Sequence, residues 1–139
     1  ALIDGEGWVG FEKGGIVRKG TESRGVVPAV VISNTNAALV EAAVAALRRI
    51  GVNPYVKKRQ GRSDWKTVYH VRVSGLSKTS RLLDRVKPFL VAKLPQAELV
   101  LRFCQSRLAK GRPKGYEYDD QEQQLVLAVR ALNARGVRD

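Results

Sequence analysis

Segments rich in Val, Ile and aromatic residues, separated by polar turns that contain glycine, predict four β-strands. The first runs from Trp8 to Lys19 and the second from Arg24 to Ser33. Pro28 lies inside the second strand, which predicts an edge position or a bulge there. A second hairpin is predicted from Val52–Gln60 and Trp65–Val73, joined by a Gly-Arg-Ser-Asp turn.

Four other segments predict helices. The clearest is Ala37–Arg49, whose apolar residues recur at helical spacing and which Gly51 ends. The others are Ser77–Val86, a helix from Pro95 to about Leu108, and a last helix that begins at Asp119 or Asp120 and places Leu125, Val129 and Leu132 on one face. Two hairpins separated by helices predict an α+β fold, with one antiparallel sheet and helices on one of its faces.

The composition indicates one globular domain spanning residues 1–139, with 44% hydrophobic residues. No apolar run approaches the roughly 20 residues of a membrane span. The only cysteine, Cys104, lies among apolar helical positions and is expected in the core. The formal net charge of +12 favours a polyanionic partner, most often nucleic acid, although ribosomal and membrane-surface proteins share this signature.

The second hairpin concentrates positive charge among aromatic residues. If its pleat is regular, Tyr55, Lys57 and Arg59 share one face. A solvated edge strand would also carry lysines, because they block aggregation. A twisted two-stranded ribbon fits the major groove of double-stranded DNA, and we favour that interpretation. His70, the only histidine, is predicted to be a non-catalytic strand residue.

The first seven residues, Ala-Leu-Ile-Asp-Gly-Glu-Gly, place two carboxylates two positions apart, each followed by glycine. Glycine lets a chain leave a helix in a left-handed conformation, so this segment is predicted to be a helix end. Carboxylates there oppose the helix dipole, and a bound cation would relieve that cost. Carboxylate and carbonyl oxygens are the ligands that Mg²⁺ or Ca²⁺ prefers. A surface turn with two solvated acids is the alternative.

These residues resemble the end of the LAGLIDADG motif, and the chain is similar to the LAGLIDADG homing endonucleases. Further similarities follow in order: Ile-Ser-Asn-Thr-Asn at residues 32–36, Val-Lys-Pro-Phe-Leu at 86–90, Lys93, and Gln-Ala-Glu-Leu-Val-Leu at 96–101. The resemblance implies the family's αββαββα order with a saddle-shaped antiparallel sheet. It also implies that residues of the motif helix precede Ala1.

The resemblance assigns roles to individual residues. Glu6 takes the position of the metal-binding acid and Gly5 offers its carbonyl to the same ion, which is Mg²⁺, with Ca²⁺ or Mn²⁺ as substitutes. Lys93 matches the basic residue near the scissile phosphate, and Asn34 the polar residue that organises water. Ala1, Leu2 and Asp4 are expected at a homodimer interface. The residues expected to contact DNA are Glu12, Lys13, Arg18, Lys19, Arg24, Lys57, Arg59, Arg62, Lys66, Thr67 and Tyr69.

The implied activity is metal-dependent hydrolysis of a long, pseudo-palindromic double-stranded DNA site that leaves 3′ overhangs. The enzyme is expected inside a microbe or an organelle whose genes carry introns, with neither a membrane nor a small-molecule substrate as partner. A non-cleaving RNA maturase or DNA-binding regulator of the same fold is the alternative. A ribosome-associated protein would explain the charge but not the acidic helix end.

Overall fold

The computed structural model describes residues 7–13, 26–60, 67–110 and 118–136, with the backbone alone for Lys13, Arg135 and Gly136. Four antiparallel strands form one sheet in the order β1-β2-β4-β3. The strands are β1 (Gly7–Lys13), β2 (Val26–Asn34), β3 (Tyr55–Arg59) and β4 (Val68–Ser74). The helices are α1 (Ala37–Arg49), α2 (Leu76–Val86), α3 (Leu94–Ala109) and α4 (Asp120–Gly136), with a 3-10 turn at Lys87–Phe89. The predicted α+β class is confirmed.

Strand register separates the sheet into two faces, because directly paired residues point to the same side. Val9, Val30 and Val73 form one row across the sheet and are at most 1% exposed. We call this side the helix face. The adjacent row, Val31 and Arg72 with Tyr55, belongs to the opposite side, which we call the open face. Tyr55 is 64% exposed there.

Helix α3 lies against the helix face and supplies much of the core. The ring of Phe103 meets the ring of Phe11 edge-on at 4.8 Å between centroids, and Tyr118 lies 5.5 Å away on its other side. Cys104 is fully buried, as expected, and burial raises the pKa of its thiol to about 12. The thiol is therefore a protonated core group and not a nucleophile.

The prediction that Pro28 marks an edge strand is wrong, because β2 lies between β1 and β4. Pairing between β2 and β4 begins at Ala29, one residue after the proline. The missing N–H of Pro28 therefore interrupts no pairing on that side. Its carbonyl instead accepts hydrogen bonds from the Gly75 N–H, at 3.0 Å, and the buried Thr79 hydroxyl, at 3.1 Å.

Local capping explains where α1 begins and ends and where α4 begins. The Asn36 side chain accepts from the N–H groups of Ala38 and Leu39, at 3.0 and 3.3 Å, and starts α1 as predicted. Gly51, with a φ of +80°, ends it. At the start of α4, the Asp119 side chain accepts from the Glu122 N–H at 2.7 Å, and the Glu122 carboxylate accepts from the Asp119 N–H at 3.0 Å. This reciprocal pair is a capping box.

The Glu122 carboxylate also anchors α4 to α3. It is fully buried, and it accepts hydrogen bonds from Ser106 at 2.8 Å and Arg107 at 3.5 Å. Burial raises the pKa of Glu122. Hydrogen bonds from the Asp119 N–H, Ser106 and Lys110 together lower it by more, so the net pKa lies below the ordinary value. The hydrogen bond from Lys110 lowers the pKa of Asp119.

Acid should therefore weaken the junction between α3 and α4. A carboxyl group with a lowered folded-state pKa stabilises the fold fully above its ordinary pKa, 4.5 for Glu122, and loses that contribution as pH falls through the folded value. We expect Glu122→Gln to reduce the pH dependence of the free energy of unfolding below pH 4.5. Urea unfolding across a pH series measures it. Glu41→Gln, at an exposed position on α1, is the control. An equal loss of unfolding free energy at low pH in Glu122→Gln and the wild type would refute the assignment.

Candidate nucleic-acid interface

Two of the three basic residues of β3, Lys57 and Arg59, project from the open face. Lys57 pairs with His70 and Arg59 with Val68, so these side chains follow the same side as Tyr55 and Arg72. Both Lys57 and Arg59 are exposed. The prediction that Tyr55, Lys57 and Arg59 share one face is confirmed by this register. The alternation of the strand gives the open face a row of cations beside an aromatic ring.

Tyr69 lies on the other side of the sheet, contrary to the expectation that it joins this surface. It pairs with Asn34 and with Lys58, which directly follows Lys57 and therefore points to the opposite side of the strand. Its ring is partly buried against the core and lines a groove with Val40 and Val44 of α1. Because the helix face is occupied by helices, Tyr69 is not part of the surface that Lys57 and Arg59 form.

An ion pair that the sequence reasoning did not identify crosses the open face. The Arg72 guanidinium donates from Nε to Glu12 Oε1 at 2.8 Å and from Nη2 to Glu12 Oε2. Arg72 is paired with Val31, whereas Glu12 is paired with Val27. The ion pair therefore crosses β2 at Ala29, which is fully buried. A small residue at this position leaves room for the two side chains to meet.

A second polar contact on the open face joins β2 to β4. The Ser33 hydroxyl and His70 Nδ1 lie 2.7 Å apart, and Lys57 occupies the next position across the sheet. His70 is half-buried in mid-strand. The predicted place of His70 within a strand is confirmed, and its neighbours give the open face hydrogen-bonding as well as charged groups.

The start of α3 carries Lys93 as its N-cap residue, and the Lys93 carbonyl accepts from the Ala97 N–H at 2.9 Å. The first turn of α3 contains no acidic residue. A lysine residue therefore lies at the positive end of the helix dipole, an arrangement that favours a bound anion.

Two contacts orient α3 along β1. Phe103 meets Phe11, and two residues earlier in β1 the Val9 carbonyl is linked to Gln96 through Asn133 of α4. Asn133 Nδ2 donates to the Val9 carbonyl at 3.0 Å, and Gln96 Nε2 donates to Asn133 Oδ1 at 3.4 Å. The N-terminal half of α3 therefore lies beside the N-terminal half of β1, and Lys93 lies toward the Gly7 end of the strand.

The end of β2 lies at the same end of the sheet. Gly7 pairs with Ile32, and Asn34 follows two residues later at the last position of β2. Asn34 Oδ1 accepts from the Asn36 N–H at 2.7 Å and so shapes the turn into α1. The structure therefore gathers the start of β1, Asn34 and the N-terminus of α3 at one end of the molecule, which we call the β1–α3 corner.

Several residues assigned from the sequence lie outside the described part of the chain: Ala1, Leu2, Asp4, Gly5, Glu6, Arg18, Lys19, Arg24, Arg62 and Lys66. The backbone of Lys13 ends β1, and Thr67 is half-buried just before β4. Within the described ranges, no group of three or more His, Cys, Asp or Glu residues could hold a metal ion. None of the helices in those ranges is long and apolar enough to cross a membrane.

The Glu12–Arg72 ion pair should make a measurable but small contribution to stability. Its side chains are 27% and 43% exposed, so solvent screens the attraction and we expect a coupling free energy of about 0.2–1 kcal/mol. A double-mutant cycle with Glu12→Gln and Arg72→Gln measures it by urea unfolding. The coupling should shrink as salt rises from about 0.1 to 1 M. An undetectable coupling at low salt would contradict the observed contact.

Comparison with known proteins identifies structures of similar fold. The homing endonuclease I-CvuI, in complex with its target in the presence of Ca, has a TM-score of 0.57 and 16% identity over 95% of this chain and 90% of that chain. The archaeal intron-encoded homing endonuclease I-Vdi141I, complexed with DNA, gives 0.56 and 15% over 96% and 92%. The LAGLIDADG homing endonuclease I-SmaMI, bound to cleaved DNA, gives 0.65 and 14% over 99% of this chain but 46% of that chain.

At identities this low, the structural similarity shows the fold alone, which is that of the LAGLIDADG homing endonucleases. No protein with a curated description matches the chain. A family model described as a LAGLIDADG-like domain matches residues 1–87, which is more than half of the 139 residues. The chain therefore belongs to the LAGLIDADG-like domain family.

Proposed function

We propose that this protein is a homodimeric, divalent-metal-dependent endonuclease that cuts a long, pseudo-palindromic site in double-stranded DNA and leaves 3′ overhangs. The observation that carries the proposal is the β1–α3 corner. Lys93, Asn34 and the start of β1 belong to segments far apart in sequence, and they lie at the same end of a sheet with a basic open face. Glu6 directly precedes Gly7, the first residue of β1, in the sequence.

The open face provides the DNA surface of the proposal. Lys57 and Arg59 neutralise phosphates, and Arg72, oriented by Glu12, presents a planar fork that suits a guanine edge. The half-buried Val27 and Val31 of β2 lie on the same open face and suit thymine methyl groups. The solved structures of I-CvuI and I-Vdi141I with DNA support a DNA partner for this fold. Arg18, Lys19, Arg24, Arg62 and Lys66 extend the same surface in this proposal.

The donor chemistry at the start of β1 suits Mg²⁺. A Glu6 carboxylate and a Gly5 carbonyl are hard oxygen ligands, and phosphate oxygens and water would complete the shell. A bound divalent ion supplies Lewis-acid catalysis at the phosphate. Lys93 stabilises the negative charge that builds on the phosphate during attack, assisted by the α3 dipole. Asn34 orients water at the same place. Structures of I-CvuI obtained with Ca and with Mg support a divalent ion.

A second copy of the chain completes the enzyme in this proposal. The sequence contains one copy of the motif, and I-SmaMI is about twice as long as the region it shares with this chain. Two copies would bring two Glu6 carboxylates to one axis, with Ala1, Leu2 and Asp4 at the interface. Bound cations would relieve the repulsion between those carboxylates. Two open faces would then form one saddle over a symmetric duplex.

The Glu6→Gln variant should lose cleavage but keep DNA affinity, because the amide keeps the shape and removes the charge that holds the cation. Target duplexes are first selected from a randomised library with Ca²⁺, and single-turnover cleavage is then measured with Mg²⁺. We expect a loss of at least about 10²-fold in rate. Glu41→Gln is the matched control.

Two other outcomes would overturn this assignment. Cleavage by Glu6→Gln at the wild-type rate would show that Glu6 is not the metal ligand. Selective binding of intron RNA or duplex DNA by the wild type, without cutting in Mg²⁺ or Mn²⁺, would instead indicate a maturase or a DNA-binding regulator.

The two faces of β3 predict different roles for adjacent lysines. Lys57→Gln and Arg59→Gln should each weaken DNA binding and reduce the slope of log K against log salt by about 0.9, because each removes one phosphate contact. Lys58→Gln removes the same charge from the opposite side of the strand and should leave the slope unchanged. Fluorescence anisotropy at several salt concentrations measures all three. Equal effects of Lys57→Gln and Lys58→Gln would contradict a DNA surface on the open face.

A further inference from the structure

Among the residues that the structure describes, Oε1 of Gln96 is a buried side-chain oxygen without a hydrogen-bond partner. Gln96 is 7% exposed and lies in the first turn of α3. Burying an unpaired amide oxygen opposes folding, whereas leucine would fill a similar volume without that cost. The amide at this position therefore calls for an explanation other than stability.

The hydrogen bonds around Gln96 have only one consistent direction. The Val9 carbonyl can only accept, so the amide of Asn133 must direct Nδ2 toward it, at 3.0 Å. Asn133 Oδ1 then faces Gln96 and needs a donor, which Nε2 of Gln96 provides, at 3.4 Å. Oε1 of Gln96 is left on the far side. We call this series, from Gln96 through Asn133 to Val9, the amide relay.

The Asn133 amide lies close against the backbone of β1 at Gly10. A side-chain Cβ added at Gly10 would lie 2.8 Å from Asn133 Nδ2 and 2.7 Å from the ring of Trp8. Glycine at this position therefore lets the amide and the indole approach the strand backbone. In the described sheet β1 is an edge strand, and its Val9 carbonyl accepts a hydrogen bond from Asn133 instead of from a neighbouring strand.

We propose that Gln96 and Asn133 are positioning residues for Lys93, an inference that rests on the proposed function. Lys93 precedes Gln96 by three residues and caps the same helix. The amide relay sets the distance between the start of α3 and β1. It thereby places the Lys93 ammonium beside the phosphate that the cation held by Glu6 would contact. An apolar contact could hold α3 against the sheet, but it would not define the register as narrowly as two directed hydrogen bonds.

Gln96→Leu separates positioning from folding. Because the substitution removes an unpaired buried oxygen along with the hydrogen bond, thermal unfolding should shift by no more than a few degrees. Single-turnover cleavage should fall by about 10- to 100-fold, with DNA affinity unchanged. Gln105→Leu, at an exposed position on the same helix, is the matched control and should cut at the wild-type rate. Wild-type cleavage by Gln96→Leu would overturn the inference while leaving the proposed function intact.

A double-mutant cycle tests whether Gln96 acts through Lys93. In a Lys93→Ala background, Gln96→Leu should have no further effect on the cleavage rate, because no ammonium remains to be positioned. A further loss as large as that in the wild type would show that Gln96 acts by another route. Asn133→Ala should reproduce the Gln96→Leu loss, and the two substitutions together should cost no more than either alone.

A measurement without catalysis keeps the inference testable if the protein does not cut DNA. Lysine labelled with ¹³C at Cε gives one NMR signal per residue, and a Lys93→Arg spectrum assigns the signal of Lys93. Gln96→Leu and Asn133→Ala should both shift that signal, whereas Gln105→Leu should not. An unmoved Lys93 signal in both relay variants would overturn the inference whether or not the protein is a nuclease.

Discussion

Contact between α3 and β1 is the interaction on which the other functional features depend. It is made at two places, an aromatic contact between Phe103 and Phe11 and the amide relay from Gln96 to Val9. Two separated contacts fix both the position and the direction of a rigid helix along a strand. The N-terminus of α3, with Lys93, is thereby brought to the end of the sheet where β1 begins and β2 ends. On the other side, α3 is secured by α2 and by the buried Glu122 of α4.

The helix face of the sheet packs against the helices, and its open face is the surface proposed to contact DNA. Its helix face is a row of valines that water does not reach, and its open face carries Lys57, Arg59 and the Glu12–Arg72 pair. Adjacent residues of one strand therefore serve opposite purposes. The ion pair also restrains Arg72, since a guanidinium held by one carboxylate loses less freedom when it meets a second partner. Its position over Ala29 links a small side chain in β2 to the shape of the recognition surface.

Features determined by neighbouring residues were predictable from the sequence. The bounds of α1 follow from Asn36 and Gly51, and the start of α4 follows from Asp119, because capping and left-handed turns involve only a few adjacent residues. The side of the sheet that Tyr69 faces was not predictable, because a shift of one residue in register exchanges the two faces. Pro28 was misplaced at an edge for a similar reason, since the strand order is a property of the whole chain.

The candidate site was predictable only in part. Periodicity and composition do not distinguish Lys93 from the other cations, and it was identified through the resemblance to a family. The Glu12–Arg72 pair joins residues 60 positions apart, and the amide relay joins Asn133 to Val9 across 124 positions. No local pattern records such contacts, because they depend on how α3, α4 and β1 come together. The net charge of +12, by contrast, favoured a polyanionic partner from the composition alone, without distinguishing nucleic acid from a membrane surface.

A crystal structure of the protein with its selected duplex and Ca²⁺ tests the central claim most directly. The account predicts that the Lys93 ammonium and the cation held by Glu6 contact oxygens of the same phosphate group, with α3 in the position described for the unbound chain. Lys93 and Glu6 on different phosphates, or a Glu6 carboxylate directed into solvent away from its symmetry mate, would contradict it.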